Sequence, residues 1–408
     1  MERWILHCDC NGFYASVECM DNPALNSGPM AVAGDPKKRT GIILAKNEQA
    51  KAFGVRTAET VWQALKKCPQ LTLVPPRHDR YREISRRVNA IYQEYTDRVE
   101  PFGIDESWLD VTETLPLLGT DARALADLLR KRVRTEIGIT ISVGVSFNKV
   151  FAKLGSDLKK PDATTVVLPS DFREIVWPLP AESLLFVGRH TSERFRQMGI
   201  RTIGDIARAD PSLLREHLGK AGDTLWRYAH GLDDDPVART GERAAAKSIG
   251  NGRTFPRDLT EAADLEGEIL ALTDAVAVQL RRSRQKCRTV QLAIKFPDLH
   301  VISRQMKLPR PSYLQKEIAE GAVQLLRRHR AANAPVRALT VTAADLVGED
   351  AWFEQTSLFP DPDEAARRRQ ETLEKTMDDI RSRYGTDSIT LGAGIGYSAS
   401  SATGADDP

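Results

Sequence analysis

The chain has 408 residues, which is too long for one ordinary hydrophobic core and predicts two to four domains. Hydrophobic residues make up 41% of the chain and charged residues 28%, a balance typical of soluble globular proteins. No apolar run approaches the roughly 20 residues that span a bilayer, and the first residues lack the form of a secretory signal. The cysteines show no paired framework, and Cys8 and Cys10 are interpreted as buried small residues. We therefore expect a cytoplasmic protein without membrane contact.

The first 165 residues mix strands and helices. Apolar and β-branched runs predict strands at WILHCD, MAVAG, GIILAK and GITISVGVS. Amphipathic segments predict helices at GFYASVECM, TAETVWQALKKCP, RYREISRRVNAIYQEYTDRV and NKVFAKLGSDLKK. Residues 25–74 are interpreted as an insertion after the first strand–helix unit. This alternation predicts a multidomain α/β (α+β) fold.

The second half has a different organisation. Residues 166–235 are predicted to be mostly helical, and the polar, turn-rich segment GLDDDPVARTGER that follows is typical of a linker. Strands and helices alternate again over 246–347, with strands at TVQLAIKF, VISRQMKL and ALTVTAADL. An isolated helix is expected at 365–385.

Charge is distributed unevenly along the chain. Residues 241–337 carry 18 Lys and Arg against 10 Asp and Glu, a net charge of +8, whereas residues 338–408 have a net charge of −8. A basic module of this kind favours a polyanionic partner. A solvated basic face would have the same charge, so charge alone does not decide between the two.

Three carboxylates stand at the ends of predicted strands. Alternation places His7 and Asp9 on one face of a buried strand, with Asp9 at its carboxyl end, where open α/β sheets place ligands. Asp105 and Glu106 open the strand SWLDV. If these strands are antiparallel neighbours, the three carboxylates converge with no cationic side chain among them. Their mutual repulsion would then require divalent cations.

Oxygen ligands alone favour Mg²⁺ or Mn²⁺ over zinc, and two such ions roughly 3.5–4 Å apart suit phosphoryl transfer. The spacing leaves open that Asp105 and Glu106 only cap a turn. The strand-to-helix turn NGFYAS adds backbone N–H groups that can bind an anion. Basic side chains follow at Lys46, Lys51, Lys159 and Lys160. A triphosphate with two metals would account for all of these, and the chain has no G-x-x-x-x-G-K-[ST] loop.

Four segments together resemble Y-family DNA polymerases, most closely the bacterial DinB or DNA polymerase IV group: DCNGFYASVE, LAKNEQAKAFGV, IDESWLDVT and SVGVSFNKVFAKLGSDLKKP. The resemblance continues through GIRTIGDIA and KSIGNGRTFPRDL and covers nearly the whole chain in order. It implies a right-hand polymerase. The implied domains are a palm at 1–24 and 75–165, fingers at 25–74, a thumb at 166–235, a linker at 236–245, a little finger at 246–347 and a tail at 348–408.

The resemblance also implies the site residues. Asp9, Asp105 and Glu106 would be the catalytic ligands of two Mg²⁺ ions, replaceable by Mn²⁺, together with the backbone carbonyl of Cys10. Tyr14 matches the steric gate, an aromatic side chain that clashes with the 2′-hydroxyl of a ribonucleotide. Further nucleotide contacts are implied at Phe13, Lys51 and Lys160. Implied DNA contacts are Gly188 in a thumb hairpin and, in the little finger, Arg253, Arg281, Arg282, Arg284 and Arg304.

Several positions depart from the family pattern. Asn11 stands where many relatives have a second aspartate, and Gly12 replaces a bulkier residue. Glu48 replaces a tyrosine that touches the triphosphate and is expected to pair with a lysine instead, while Lys51 replaces an arginine. Phe186 fills the first glycine position of the thumb hairpin.

The expected function is low-fidelity, translesion DNA synthesis without a proofreading exonuclease. A primer 3′-hydroxyl would attack a deoxynucleoside triphosphate on primer–template DNA and release pyrophosphate, and the protein is expected to be a monomer. A catalytically silent scaffold is a second interpretation, which the presence of all three carboxylates disfavours. A palm-fold nucleotide cyclase is a third, and such an enzyme would not need the basic second module.

The segment QTSLF predicts a further partner. Two large apolar side chains, Leu358 and Phe359, follow Gln355 in an acidic segment, where they would be out of place unless a partner buries them. The pattern resembles the peptide by which bacterial polymerases bind the sliding clamp, the β subunit. The alternative is that the pair folds back to anchor the helix that follows.

Overall fold

The computed structural model describes residues 3–39, 41–242, 246–349, 351 and 362–390. The chain divides into two compact units. Unit 1 comprises Met1–Gly34 with Gly41–Arg243, and unit 2 comprises Ala244–Asp407 with the short segment Asp35–Thr40. Among the described residues, no helix combines the length and the hydropathy that crossing a membrane requires.

Twelve strands and fifteen α-helices make up the described parts of the chain. The strands are β1 Ile5–Cys10, β2 Met30–Ala33, β3 Ile43–Lys46, β4 Thr72–Val74, β5 Val99–Pro101, β6 Glu106–Asp110, β7 Ile141–Ser146, β8 Thr164–Val166, β9 Ser248–Leu259, β10 Gln285–Lys295, β11 Val301–Ser312 and β12 Val336–Gly348. The helices are α1 Phe13–Asp21, α2 Glu48–Ala52, α3 Val61–Lys67, α4 His78–Gln93, α5 Leu115–Leu118, α6 Ala122–Arg132, α7 Lys149–Leu158, α8 Phe172–Val176, α9 Arg189–Gln197, α10 Ile203–Arg208, α11 Pro211–Leu218, α12 Lys220–Ala229, α13 Ala262–Arg282, α14 Gln315–His329 and α15 Pro362–Tyr384.

The main sheet of unit 1 has five strands in the order β5-β6-β1-β7-β8. The central strand β1 pairs antiparallel with both β6 and β7, and every residue of β1 and β7 is buried. Strands buried on both faces appear in a sequence as nearly continuous apolar runs, which is why both could be predicted. On one face, Leu6 and Cys8 pack in a core with residues of α1, α4 and α6. All five cysteines are free and buried, including Cys8 and Cys10, for which burial was predicted.

A smaller sheet, β3-β2-β4, lies within the predicted insertion. Strand β2 pairs antiparallel with β3 and parallel with β4. Helix α3 begins at a capping box, in which the Thr60 hydroxyl accepts from the Gln63 N–H and the Gln63 side chain accepts from the Thr60 N–H. Ile43, Ala50 and Val61 are buried in the small hydrophobic core of this region.

Helices α8–α12 follow the main sheet, and this confirms the mostly helical character predicted for the region. Phe195, Ile203 and Leu214 form their common core. Asp205 and Thr202 make a second capping box at α10, and Pro211 occupies the first helical position of α11, where its missing N–H costs nothing.

Part of the predicted linker lies on unit 1. Val237 is buried against Ile5 and Trp108 of the main sheet. The N–H of Thr240 donates to the carbonyl of Asp97 at 2.8 Å. Residues 236–240 are therefore held by tertiary contacts, although their turn-rich composition is typical of a linker.

Unit 2 contains a four-stranded antiparallel sheet in the order β11-β10-β12-β9. Val290, Leu292 and Val341 lie in the core between this sheet and the helices α13 and α14. Sequence analysis found three of the four strands. It missed β9, because two glycines and a proline argue against a strand in isolation, whereas pairing with β12 satisfies the backbone.

The C-terminal helix α15 is not isolated, and that expectation was wrong. Met377 is buried, and Glu374 accepts from the backbone N–H of Gln315 at 3.2 Å. The Arg281 guanidinium contacts both Glu374 and Asp378. Helix α15 is thus an integral layer of unit 2. Helix α4 also differs from its prediction, because it ends at Gln93 and the chain turns there to reach β5.

Candidate active site

Strand pairing brings Asp9 directly opposite Glu106. The register of β1 against β6 runs from Ile5 opposite Asp110 to Asp9 opposite Glu106, so the two carboxylates share one face at one end of the sheet. Asp105 immediately precedes β6, and its carbonyl accepts from the N–H of Cys10 at 2.9 Å. The antiparallel neighbours that the sequence analysis required are therefore present. We refer to Asp9, Asp105 and Glu106 as the carboxylate cluster.

Two lysines of the α7 region lie against this cluster, so the expectation that no cation is present was wrong. The Lys153 ammonium lies 3.2 Å from Asp9 and 3.0 Å from Glu106. The Lys160 ammonium donates to Asp9 at 2.7 Å. Lys153 was missed although a signal existed, because Lys153 and Lys160 stand seven residues apart in the predicted helix NKVFAKLGSDLKK and would share one face of it.

A buried histidine also lies next to Glu106. His7 is fully buried, its Nδ1 hydrogen-bonds the Ser156 hydroxyl at 2.9 Å, and its Nε2 lies 3.2 Å from Glu106 Oε2. Those last two atoms are buried and lie close enough for a hydrogen bond. Burial lowers the pKa of His7, which keeps the imidazole neutral near pH 7.

Electrostatics separates the three carboxyl groups. Burial, with the charges of Glu106 and Asp9, raises the pKa of Asp105 to about 6. Burial also raises the pKa of Asp9, although Lys160 and Lys153 oppose it. For Glu106 burial acts in the same sense, but His7 and Lys153 outweigh it and lower the pKa to about 2. Such a spread is characteristic of carboxylates held close together for a chemical purpose.

A glycine crossing fixes helix α7 over the sheet. A Cβ on Gly144 of β7 would lie 1.9 Å from the carbonyl oxygen of Ala152 and 2.5 Å from the nitrogen of Ser156. A Cβ on Gly155 would in turn meet the Gly144 Cα at 3.2 Å. Only glycine at residue 144 lets the helix approach this closely, and the approach is what carries Lys153 to the cluster.

The turn after β1 explains two departures from the family pattern. Gly12 has φ +54, a left-handed conformation that glycine adopts without strain, and it precedes the first turn of α1. Asn11 is buried, donates to the Thr140 hydroxyl at 3.1 Å and accepts from the Ser142 hydroxyl at 2.9 Å. An aspartate could not donate the first of these bonds, so Asn11 ties the turn to β7.

The two aromatic residues of the turn have different environments. Tyr14 is half-buried and stacks on Tyr81 with ring centroids 4.0 Å apart. Burial, with the charge of Asp105, raises the pKa of Tyr14. Phe13 is 2% exposed. The expected nucleotide contact of Phe13 is therefore wrong for its side chain, which fills the core, and only its backbone remains open to that role.

Lys51 lies in helix α2, in the same predicted insertion as the small sheet. Its ammonium pairs with Glu48 at 3.2 Å, and both side chains are exposed. This confirms that Glu48 pairs with a lysine. The Lys46 ammonium donates to the Thr57 hydroxyl at 3.2 Å, and burial together with the charge of Lys51 lowers its pKa. The two ammonium groups thus repel each other, and an anion bound between them would relieve that repulsion.

The residues of the cluster fit divalent cations. His7, Asp9 and Glu106 offer ligand atoms within 4.8 Å of one another, and the buried Glu106 Oε2 already faces a cation, the Lys153 ammonium at 3.0 Å. Carboxylate oxygens are the donors that Mg²⁺ and Mn²⁺ prefer. The expected participation of Asp105 rests on its carboxylate lying next to this group.

Comparison with known proteins agrees with this geometry. The impB/mucB/samB family model matches residues 8–157, and the model of its C-terminal domain matches residues 246–358. DNA polymerase IV of Acetivibrio thermocellus is 46% identical over 392 residues, which cover 96% of this chain and 97% of that protein. DNA polymerase IV 1 of Bacillus subtilis is 37% identical over 394 residues, covering 96% and 93%.

The chain belongs to the Y-family of DNA polymerases, in the DNA polymerase IV group. A solved Y-family DNA polymerase chimera shares its fold, with a TM-score of 0.73 at 23% identity over 85% of this chain and 99% of the other. The polymerase therefore acts on DNA with deoxynucleotides and has the multidomain α/β fold that the sequence predicted.

A thumb-domain model, described as that of DNA polymerase-iota, matches residues 183–233 of the polymerase. Gly188 caps α9 with nothing within 4 Å of the position of a Cβ, so a partner can approach it closely. Phe186 is 64% exposed and has φ +68, the left-handed conformation that a glycine would adopt without strain. Phe186 thus adopts a conformation that suits the glycine it replaces in the family pattern.

Two of the five arginines expected to contact DNA are engaged within unit 2. Arg281 is 5% exposed and holds α15, so it is not available to a phosphate. Arg253 pairs with Glu268 of α13 at 3.0 Å and lies on the same face of β9 as the buried Phe255. Arg282 and Arg284 are exposed beside the turn that leads into β10. Arg304 is exposed on the edge strand β11.

The opposite face of the unit 2 sheet carries small and polar side chains. In register, Gly252 of β9 lies opposite Thr340 of β12, and Ala293 of β10 lies opposite Ser303 of β11. The clamp-binding residues expected at Gln355, Leu358 and Phe359 lie outside the residues that the structure describes.

Proposed function

We propose that this DNA polymerase performs low-fidelity, translesion synthesis by a two-metal mechanism and has no proofreading activity. The observation that carries the proposal is the register of Asp9 against Glu106, with Asp105 adjacent, at the end of a buried sheet. Asp9, Asp105, Glu106 and the Cys10 carbonyl would hold two Mg²⁺ ions. Such ions would activate the primer hydroxyl and stabilise the charge on the phosphates.

The residues around the cluster have complementary roles in the proposal. The first backbone N–H groups of α1 face the end of the sheet and would bind triphosphate oxygens. Lys160 would bind the same triphosphate, and Lys51 would reach it from the small sheet. Tyr14, stacked on Tyr81, would lie against the sugar and exclude a 2′-hydroxyl. If Tyr14→Ala leaves the ratio of ribonucleotide to deoxynucleotide incorporation unchanged, Tyr14 is only a packing residue.

Primer extension under single-turnover conditions tests the metal assignment. Asp105→Ala should slow extension by more than about a hundredfold, since even outer-shell partners of a metal typically contribute 10–100-fold. Asp110→Asn is the matched control, because Asp110 occupies the far end of β6, where its carboxylate accepts from the Thr112 N–H at 3.0 Å. Electrophoretic mobility shifts should show unchanged DNA affinity in both variants. Normal extension by Asp105→Ala would refute the assignment.

The fidelity part of the proposal rests on family membership and on the small three-stranded insertion over the site. A small insertion of this kind would leave the nascent base pair loosely enclosed, so mispairs and damaged templates would be accepted. A primer with a mispaired 3′ end should be extended and never shortened by the purified protein. Shortening that persists after repeated purification would overturn the absence of proofreading.

DNA contacts in unit 2 are proposed for the small-residue face of the sheet rather than for Arg253 and Arg281. Small side chains on this face let a phosphate backbone approach the sheet closely, which gives affinity without reading bases. The exposed Arg282 and Arg284 would add electrostatic attraction. Arg304 pairs in register with the core residue Leu292, so it would reach DNA only from the edge of the sheet. We also propose that the protein is a monomer and that Leu358 and Phe359 dock on a sliding clamp.

The silent scaffold remains the second candidate, and the structure gives it no observation of its own. A scaffold would have no use for the perturbed carboxyl groups or for the lysines held against them. Detectable extension by the wild-type protein would exclude the scaffold outright.

A further inference from the structure

Lys153 lies between two of the proposed metal ligands. Its ammonium lies 3.2 Å from Asp9 Oδ2 and 3.0 Å from Glu106 Oε2, and its side chain is 15% exposed. These are carboxylate oxygens that a divalent cation would also seek. Glu106 and Asp9 face each other in register, so the ammonium offsets a repulsion that would otherwise push the strands β1 and β6 apart.

A third carboxylate gives this ammonium an alternative partner. Asp157 stands one helical turn after Lys153, lies 3.4 Å from its ammonium and is half exposed. Asp157 also accepts from Lys160 at 2.8 Å. A small rotation of the Lys153 side chain would therefore keep its charge paired while vacating Asp9 and Glu106.

We propose that Lys153 is the resident counter-cation of the metal site, a positioning residue that holds Asp9 and Glu106 together until metal ions arrive and then transfers its ammonium to Asp157. The proposal deepens the proposed two-metal function and rests on it. No bond is made or broken and no proton moves, because one cation replaces another on the same oxygens. The site would thereby stay assembled between catalytic cycles, at the cost of weaker metal binding.

Direct metal binding tests this. Mn²⁺ binding to the full-length protein without DNA can be measured by electron paramagnetic resonance, which does not depend on activity. Lys153→Met should bind Mn²⁺ at least about fivefold more tightly than the wild type, since a unit charge 3.0–3.2 Å from two ligand oxygens is removed. Binding that is no tighter, including binding undetectable in both proteins, would overturn the proposal.

Two matched variants control for charge and for folding. Lys149→Met removes the same charge one turn earlier on α7, where Lys149 pairs with Glu100 at 2.7 Å, and it should change Mn²⁺ affinity less than about twofold. Lys153→Arg keeps the cation and should bind Mn²⁺ like the wild type. Circular dichroism and melting curves confirm that each variant is folded before affinities are compared.

A double-mutant cycle tests the transfer to Asp157. Asp157→Asn should weaken Mn²⁺ binding in the wild-type background, because the ammonium loses its alternative partner. The same substitution should have a clearly smaller effect in the Lys153→Met background. Equal effects in the two backgrounds would overturn the transfer.

Failure of this proposal is distinguishable from failure of the metal site. If Asp105→Ala and Glu106→Ala abolish Mn²⁺ binding while Lys153→Met leaves it unchanged, the site exists and Lys153 does not regulate it. If Mn²⁺ binds equally well to the Asp105→Ala and Glu106→Ala variants, the carboxylate cluster is not the metal site, and the proposed function fails with it.

Discussion

Replacing Gly144 with alanine tests the close crossing on which the site depends. The new Cβ would begin 1.9 Å from the Ala152 carbonyl oxygen, and the two must separate by about 1.1 Å to reach 3.0 Å, below which such contacts essentially never occur. Backbone cannot rotate aside as a side chain can, so α7 must move as a body. Overpacking typically costs about 1–3 kcal/mol, and this position should lie at or above the upper end.

A cost of about 3 kcal/mol corresponds to a fall of roughly 6–12 °C in the melting temperature of a unit of this size. Scanning calorimetry measures it, with Gly28→Ala as control, because nothing lies within 4 Å of a Cβ there and the backbone is extended. Primer extension should fall as well, since Lys153 moves with α7. A melting temperature within 2 °C of the wild type would refute the reasoning about the crossing.

Three further perturbations follow from particular residues. Arg281→Met should destabilise unit 2 by about 3–5 kcal/mol in urea denaturation, because it leaves the buried Glu374 without its cationic partner. A variant with wild-type stability and weakened DNA binding would instead show that Arg281 contacts DNA. Phe186→Gly should stabilise the fold by about 0.5–1 kcal/mol, because the strain of the left-handed conformation that is relieved exceeds the added conformational entropy of glycine in the unfolded chain. A lower melting temperature would show that packing of the phenylalanine ring contributes more to stability. Leu358→Ala with Phe359→Ala should remove clamp binding in calorimetry and spare extension on short primers, whereas unchanged clamp affinity would contradict the docking proposal.

The convergence of the carboxylates was predictable because it depends on local rules. The alternation of side chains along β1 predicts the position of Asp9, and the start of β6 predicts that of Glu106. Only the antiparallel pairing of the two strands had to be assumed. The expected absence of a cation failed, because Lys153 belongs to a separate helix. Its distance to Asp9 is set by the Gly144 crossing, which sequence periodicity does not encode.

The docking of α15 was beyond sequence reasoning for a similar cause. Its anchor joins Arg281 to Glu374, which are 93 residues apart in the chain, and an arginine in a basic module is indistinguishable from a surface residue until its neighbours are known. The strand β9 was not predicted for the opposite reason. Its residues disfavour a strand locally, but pairing with β12 outweighs that local preference. Asn11 was correctly singled out, but its role required Thr140 and Ser142 from another strand.

The central claim is that Asp9, Asp105 and Glu106 bind the two ions of a polymerase site. A crystal of the polymerase with primer–template DNA, a non-reactive deoxynucleotide and Mn²⁺ tests it directly through anomalous diffraction at the manganese edge. We predict two peaks roughly 3.5–4 Å apart, each within about 2.0–2.4 Å of carboxylate oxygens of this cluster. Peaks bound only to the nucleotide, with these three carboxylates still held by Lys153 or by other side chains, would contradict the account.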